Sequence, residues 1–282
     1  MNWQGFDSWL THTGIGWIAL LLFAAMCLAA VVGALILRLT RAGKAADGDK
    51  DDDNGQGYIV SAVLGLLALL MGFTFSLAID RFDARRLLVI EEANAIGTAY
   101  LRAQLLTEPH RARMTDLLVR YTDTRIALAK ARPASAEQNR LLRTNDALLT
   151  DIWAATSASF DSIKGLDFSS TYIDSINTLI DLDASRKAAR GARVPTEVFA
   201  VLFIYLVTTA GVLGYVLTGV RGRLASLHLF ALLTLSLVLI IDINRPVLGG
   251  VTESQRPMED LRKSLAAQPP AVFDKWHEPA GS

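Results

Sequence analysis

The sequence has few of the residues on which disulfide and metal chemistry depend. Its 282 residues include one cysteine, Cys27, which lies inside an apolar run. A single cysteine excludes an intrachain disulfide and a thiolate metal cluster. The four histidines are far apart in sequence, and no pair has the spacing of metal ligands. We therefore expect no metal site and no cofactor.

Motifs for catalysis are missing as well. The sequence has no Walker loop, no G-x-S-x-G and no G-x-G-x-x-G after a strand. Glu91 and Glu92 are adjacent, which places them about 100° apart on a helix rather than opposite each other as an acid–base pair. We expect that the protein is not an enzyme.

Charge of one sign is also missing, because 28 acidic side chains balance 28 basic ones. A net charge of zero gives no support for nucleic-acid binding. What the sequence does have is hydrophobic residues, which make up 51% of the chain.

Four hydrophobic runs are long enough to cross a bilayer, which takes about 20 residues. The first two cover about residues 15–37 and 58–79, and the other two lie within 195–245. The first run is too long for the apolar region of a signal peptide and lacks preceding basic residues, so it should remain as a span. We expect an integral membrane protein, in a bacterial inner membrane.

The second run continues as a single predicted helix to about residue 106, because the first proline after it is Pro109. At about 1.5 Å per residue, a helix over 58–106 is roughly 73 Å long, more than twice the bilayer core. Sustained strand alternation is absent between residues 80 and 190, whereas apolar residues recur there at helical spacing. The sequence therefore predicts an all-α protein with an N-terminal segment and two spans (1–79), a helical extramembrane domain (80–194), two further spans (195–245) and a C-terminal tail (246–282).

The connection between the first two spans, residues 42–57, is rich in glycine and aspartate. Asp49, Asp51 and Asp53 have the spacing that begins a calcium loop, but Asn54 and Val60 stand where such a loop needs glycine and glutamate. A disordered polar linker is the favoured interpretation.

Small and polar residues form a stripe along the second span at steps of three and four. They are Ser61, Gly65, Ala68, Gly72, Ser76 and Asp80. Such a stripe is explained either by close packing of helices or by a water-lined face of a pore. The sequence leaves both explanations open.

Charged residues close two of the spans. Asp80 and Arg81 end the second, and Asp242 and Arg245 end the fourth on the same side of the membrane. Charges at that depth are usually paired or hydrated. They predict a clamp that joins the two spans, a charged vestibule that sets ion preference, or both.

Two long segments resemble the bestrophin-like family of bacterial and plant membrane proteins. One is GFTFSLAIDRFDARRLLVIEEANAIGTAYLRAQLL, and the other is DINRPVLGGVTESQRPMEDL near the C-terminus. The matching positions are Gly72, Phe73, Glu91 to Ala95, Arg102, Arg245, Pro246, Gly249, Gly250 and Pro257. True bestrophins are oligomeric, usually pentameric, anion channels with helices around one axis. The resemblance implies a homo-oligomer with an axial path, in which Phe73 or Phe75 forms a constriction.

The leading functional hypothesis is an oligomeric ion channel that conducts anions such as chloride. Its candidate lining residues are Gly72, Phe73, Thr74, Phe75, Ser76 and Asp80. An acidic ring at Asp80 favours cations instead. The alternative is a non-conducting sensor or scaffold whose helical head binds a partner or ligand. The expected partners are the lipid membrane, inorganic ions and further copies of the chain, and no nucleic acid.

Overall fold

A computed structural model describes residues 3–43, 52–217, 219–245 and 249–275, which fold into helices joined by short connections. The helices are α1 (Trp3–His12), α2 (Ile15–Gly43), α3 (Asp52–Ala103), α4 (His110–Lys130), α5 (Ala136–Ile163), α6 (Ser169–Gly191), α7 (Thr196–Val216), α8 (Gly219–Asn244) and α9 (Arg256–Ala267). A short 3₁₀ helix covers Pro270–Asp274. The all-α prediction is confirmed. Residues 44–51 of the predicted linker, with Asp49 and Asp51 of the weighed calcium loop, lie outside the described residues.

The predicted long helix is present as α3. It begins six residues before Tyr58, and it ends at Ala103, three residues before Leu106. Four stretches are long and apolar enough to cross a membrane, as predicted: α2, the first part of α3, α7 and α8. The chain is an integral membrane protein.

Contacts divide the chain into two compact units. The first, which we call the spanning unit, comprises Met1–Phe82 and Arg193–Thr252. The second, which we call the head, comprises Asp83–Ala192 and Glu253–Ser282. Helix α3 begins in the spanning unit and ends in the head.

In the spanning unit, α2 and α7 pack closely because glycines stand where they cross. A Cβ at Gly33 would collide with the carbonyl oxygen of Gly211, and a Cβ at Gly214 would collide with that of Ala30. Small residues let membrane helices approach in this way. The remaining core is apolar and includes Ile18, Leu22, Met26, Leu67, Phe199, Leu206, Phe230 and Leu237.

The short helix α1 also belongs to the spanning unit. Phe6 stacks on Trp9 with ring centroids 5.7 Å apart, and Phe203 of α7 meets Phe6 edge-on at 5.9 Å. The Thr196 hydroxyl donates a hydrogen bond of 2.7 Å to Asp7. The aromatic N-terminus is therefore fixed against the start of α7.

The head packs the end of α3 with α4, α5, α6 and α9. Its apolar core includes Ile96, Met114, Leu118, Ile152, Tyr172, Ile176, Leu179 and Met258. Helix α5 begins where it does because Ser135 caps it: the serine hydroxyl accepts a 3.0 Å hydrogen bond from the Gln138 backbone N–H.

The C-terminal segment that the sequence treated as a tail contributes to the head. Met258 of α9 is fully buried there, and Arg262 pairs with Asp123 of α4 at 2.7 Å. The Tyr100 hydroxyl donates a hydrogen bond of 2.9 Å to the carbonyl oxygen of Gln268. These contacts tie α9 to α3 and α4.

Candidate functional site

The stripe of small and polar residues on α3 lies at the centre of the face that the rest of the chain leaves exposed. All six of its members, from Ser61 to Asp80, are exposed. The opposite face of the helix carries the buried side chains Leu67, Met71, Thr74 and Ala78. Since consecutive residues are about 100° apart, the buried set centres roughly 140° from the stripe.

The glycines of this stripe do not serve packing within the chain. A Cβ added at Gly65 or Gly72 would meet nothing within 4 Å. Close helix packing, one of the two explanations of the stripe, is therefore not realised inside a single chain. The face remains available to lipid, to water or to further copies of the chain.

The two candidate constriction residues flank the stripe. Phe73 is 62% exposed and Phe75 is 39% exposed. Large apolar side chains on the uncovered face of a membrane-spanning helix face lipid, another protein surface or a hydrophobic constriction.

Thr74, by contrast, points into the spanning unit. Its side chain is buried, and its hydroxyl donates a hydrogen bond of 2.8 Å to the carbonyl oxygen of Leu70. Among the candidate lining residues, Thr74 alone lies on the buried face of α3.

The charged residues at the end of the fourth span, Asp242 and Arg245, meet backbone groups rather than the charged residues at the end of the second. The Asp242 carboxylate accepts hydrogen bonds from the backbone N–H groups of Gly250 (2.8 Å) and Val251 (3.0 Å). The Arg245 guanidinium donates to the carbonyl oxygens of Leu10 and Thr13, the latter at 3.0 Å. Asp80 and Arg81 are exposed on α3. Over the described residues of this single chain, no ion pair joins the two span ends.

This arrangement explains the paired glycines that follow the fourth span. A Cβ at Gly249 would press on the carbonyl oxygen of Asp242, and one at Gly250 would approach its carboxylate. Only a residue without a side chain lets the backbone turn this closely around Asp242.

A second cluster of polar residues lies in the core of the head, where the sequence analysis expected only apolar faces. Glu92 of α3 is fully buried, and its carboxylate accepts a hydrogen bond of 2.7 Å from the Tyr121 hydroxyl. The Arg125 guanidinium donates to it at 3.2 Å, and Arg186 donates to the same oxygen. The single carboxylate of Glu92 thus binds two arginines and a phenol.

Asp183 of α6 completes this cluster. It accepts hydrogen bonds from Arg125 at 2.9 Å and from the Asn145 side-chain amide at 3.0 Å. Lys187 pairs with the other Asp183 oxygen at 2.7 Å. Two buried carboxylates therefore face two buried arginines, and the partly exposed Lys187 adds a third cation. We call Glu92, Tyr121, Arg125, Asn145, Asp183 and Arg186 the buried charge cluster.

Burial and neighbouring charges shift the pKa values of two members of the cluster, Tyr121 and Arg125. Burial and the Glu92 carboxylate raise the pKa of Tyr121 well above 10.0, so the phenol stays protonated. Burial would lower the pKa of Arg125, but the carboxylates of Glu92 and Asp183 raise it, so the guanidinium stays charged. Because its buried carboxylates are paired with buried arginines, the cluster has the chemistry of a structural core.

The basic run 185–193 lies in this region. Arg186 of this run is not at the surface, because it is buried against Glu92. Burial and the nearby Arg186 and Arg125 charges lower the pKa of Arg190 to about 10. Two sequence features could have indicated the buried charge cluster. Asp183 and Arg186 lie on the apolar face of α6, and Tyr121 and Arg125 are four residues apart on α4 and therefore share a face.

Comparison with known proteins identifies the family. A model of the bestrophin-like domain matches residues 23–258. No curated protein matches the sequence.

Solved structures share the fold. One point mutant of a bacterial bestrophin homologue from Klebsiella pneumoniae superposes with a TM-score of 0.63 at 17% identity, covering 90% of this chain and 98% of the other. A second point mutant of a bestrophin homologue from the same organism gives a TM-score of 0.63 at 16% identity, covering 88% and 97% of the two chains. Because the family model spans most of the sequence, the chain belongs to the bestrophin-like family.

Proposed function

We propose that this protein is a homo-oligomeric membrane channel for anions such as chloride, with α3 lining its axial path. The observation that carries the proposal is the exposed face of α3. A transmembrane helix whose uncovered face carries a stripe of small and polar residues is suited to a water-filled path, because hydrocarbon does not satisfy hydroxyl and carboxylate groups. Family membership supports the same assignment.

In this channel Gly72, Ser76 and Asp80 face the path, and Phe73 and Phe75 flank it as the constriction. A ring of aromatic side chains gates by excluding water when it narrows. Thr74 supports the helix from its buried side. The usual pentamer of true bestrophins is the arrangement we propose.

Conductance across a planar bilayer tests this assignment. Purified protein is reconstituted with a tenfold KCl gradient, for which an ideally selective channel reverses at about 59 mV. An anion-selective channel makes the dilute side negative, because chloride moves down its gradient. A positive dilute side would refute anion selectivity and would indicate that the ring at Asp80 determines the ion selectivity. In that case Asp80→Asn should reduce the preference for cations. The absence of conductance at every voltage and pH would refute the channel.

A matched pair of variants locates the path. Ser76→Leu should abolish most of the conductance, because it adds an apolar side chain to the lining face. Ser236→Leu makes the same change on an exposed face of α8 and should conduct like the unaltered protein. Equal conductance of the two variants would contradict the placement of α3 at the path.

A non-conducting sensor or scaffold remains the second candidate, and one feature of the head favours it. Trp153 and Phe160 lie seven residues apart on α5, so they share a face, and both are nearly half exposed. Exposed aromatic side chains are common in protein interfaces. If the bilayer recordings show no current, Trp153→Ser with Phe160→Ser should abolish partner binding by the head.

A further inference from the structure

A cavity of about 510 Å³ lies at one end of the spanning unit, where α2 and α7 end and α8 begins. Small-molecule sites have volumes of about 300–1,000 Å³. Its walls are mainly aliphatic, and two arginines, Arg38 of α2 and Arg223 of α8, also line it. Neither the proposed path nor the buried charge cluster uses this cavity.

The two helices arrange charge and apolar surface in the same order. Arg38 lies seven residues from Val31 on α2, and Arg223 lies seven residues from Phe230 on α8. Seven residues correspond to about 10 Å along a helix. Each helix therefore lines the cavity with a guanidinium near the end of the span and an apolar side chain about two turns deeper.

The charged end of the cavity suits an anion. Over the described residues, no carboxylate forms an ion pair with Arg38 or Arg223. Arg223 stands in the second turn of α8, near the end at which a helix dipole favours negative charge. Arginine binds phosphate through two parallel hydrogen bonds.

The deeper part of the cavity suits a hydrocarbon chain. Val31 and Leu35 of α2 are about half exposed where they line it, and Leu227 faces it from α8. Apolar cavities do not hold ordered water, which needs two to four polar partners. An occupant with an anionic head and an apolar chain matches both ends.

We propose that this cavity binds an anionic phospholipid, with its phosphate on Arg38 and Arg223 and one acyl chain along Val31, Leu35 and Leu227. The lipid fills a gap between α2, α7 and α8 that the chain leaves open. The site is independent of whether the protein conducts ions.

Native mass spectrometry of the full-length, delipidated protein tests the site. The probes are dioleoyl phosphatidylglycerol and dioleoyl phosphatidylcholine, which share their chains and differ in net charge. The unaltered protein should prefer phosphatidylglycerol. The double variant Arg38→Gln with Arg223→Gln should lose about thirtyfold in affinity for it and retain its affinity for phosphatidylcholine.

Two further variants separate the site from general electrostatics. Arg221→Gln removes the same charge from the same part of α8 but does not line the cavity, so it should retain the preference. Ala34→Phe keeps both arginines but fills the apolar part, so it should weaken the binding of both lipids. The proposal is overturned if Arg221→Gln loses as much affinity for phosphatidylglycerol as the double variant does. It is also overturned if the double variant still prefers phosphatidylglycerol over phosphatidylcholine.

The acidic segment before the second span is the competing occupant, since Asp51, Asp52 and Asp53 are carried by the same chain. A variant with all three changed to Asn should bind phosphatidylglycerol as the unaltered protein does. If this variant prefers phosphatidylglycerol over phosphatidylcholine and the unaltered protein does not, the acidic segment rather than a lipid binds the two arginines. The proposal is then wrong.

Discussion

Different interactions stabilise the interiors of the two compact units of this protein. All the ion pairs among the described residues lie in the head, where the buried charge cluster joins four helices. In the spanning unit, α2 and α7 pack through glycines, with apolar side chains around them. A hydrocarbon solvent offers no gain for burying apolar surface, so close backbone approach has to supply the attraction between helices there.

A second contrast lies within the spanning unit itself. Gly33 and Gly214 are each pressed against a neighbouring backbone, whereas Gly65 and Gly72 face open space. Identical residues in membrane-spanning helices therefore have different roles. The packed glycines allow α2 and α7 to approach each other closely, and the open ones belong to the face of α3 that the single chain leaves exposed.

The largest expected effect separates these two sets of glycines. Gly214→Leu should yield no folded protein, because its side chain has to displace the Ala30 backbone rather than a flexible side chain. Gly72→Leu should fold, since a Cβ there meets nothing within 4 Å and the position is exposed. Recovery of monodisperse protein in detergent measures both. Normal recovery of Gly214→Leu would show that the α2–α7 contact is dispensable.

A change in the buried charge cluster should cost somewhat less. Glu92→Gln leaves Arg125 and Arg186 without their shared carboxylate, and breaking a buried ion pair typically costs about 3–5 kcal/mol. Thermal unfolding in detergent should show a clearly lowered midpoint. The control is Asp116→Asn, whose partner Arg120 is exposed, and it should leave the midpoint nearly unchanged. Equal midpoints for the two variants would show that the cluster does not stabilise the head.

The smallest of these effects concerns the phenol in the same cluster. Tyr121→Phe removes the 2.7 Å hydrogen bond to Glu92, and a hydrogen bond to a charged group contributes about 1.5–3 kcal/mol. The unfolding midpoint should therefore fall by less than in Glu92→Gln. A fall as large as that of Glu92→Gln would assign the tyrosine a larger role than one hydrogen bond.

The same variant should also change the alkaline behaviour. The pKa of Tyr121 is raised in the folded protein, so its contribution to stability is full below pH 10.0 and declines as pH rises towards the folded pKa. Tyr121→Phe lacks this decline. Unfolding midpoints measured from pH 8 to pH 11 should therefore converge for the two proteins at the alkaline end.

Most of the fold was predictable from the sequence, because the properties that define it are local. Span length follows from runs of apolar residues, and the unbroken α3 follows from the absence of proline before Pro109. The stripe was also visible, since helical spacing depends on sequence alone.

What the sequence could not supply was which residues meet across the fold. Glu92, Arg125 and Asp183 are far apart in the chain, so nothing in their local spacing shows that they share one buried site. Thr74 and Ser76 are two residues apart in the same stretch, yet one is buried and the other exposed. That difference depends on the position of neighbouring helices. The hydrogen bonds of Asp242 to the backbone after Gly249 depend likewise on a turn that spacing does not reveal.

The orientation of the α3 stripe in the assembled protein tests the central claim most directly. Electron cryomicroscopy of the detergent-solubilised protein gives both the subunit count and the surroundings of Ser61, Gly72 and Asp80. Our account predicts a closed ring of chains with these residues facing a continuous central path. A monomer, or an assembly in which the stripe faces lipid or is sealed by side chains, would contradict it.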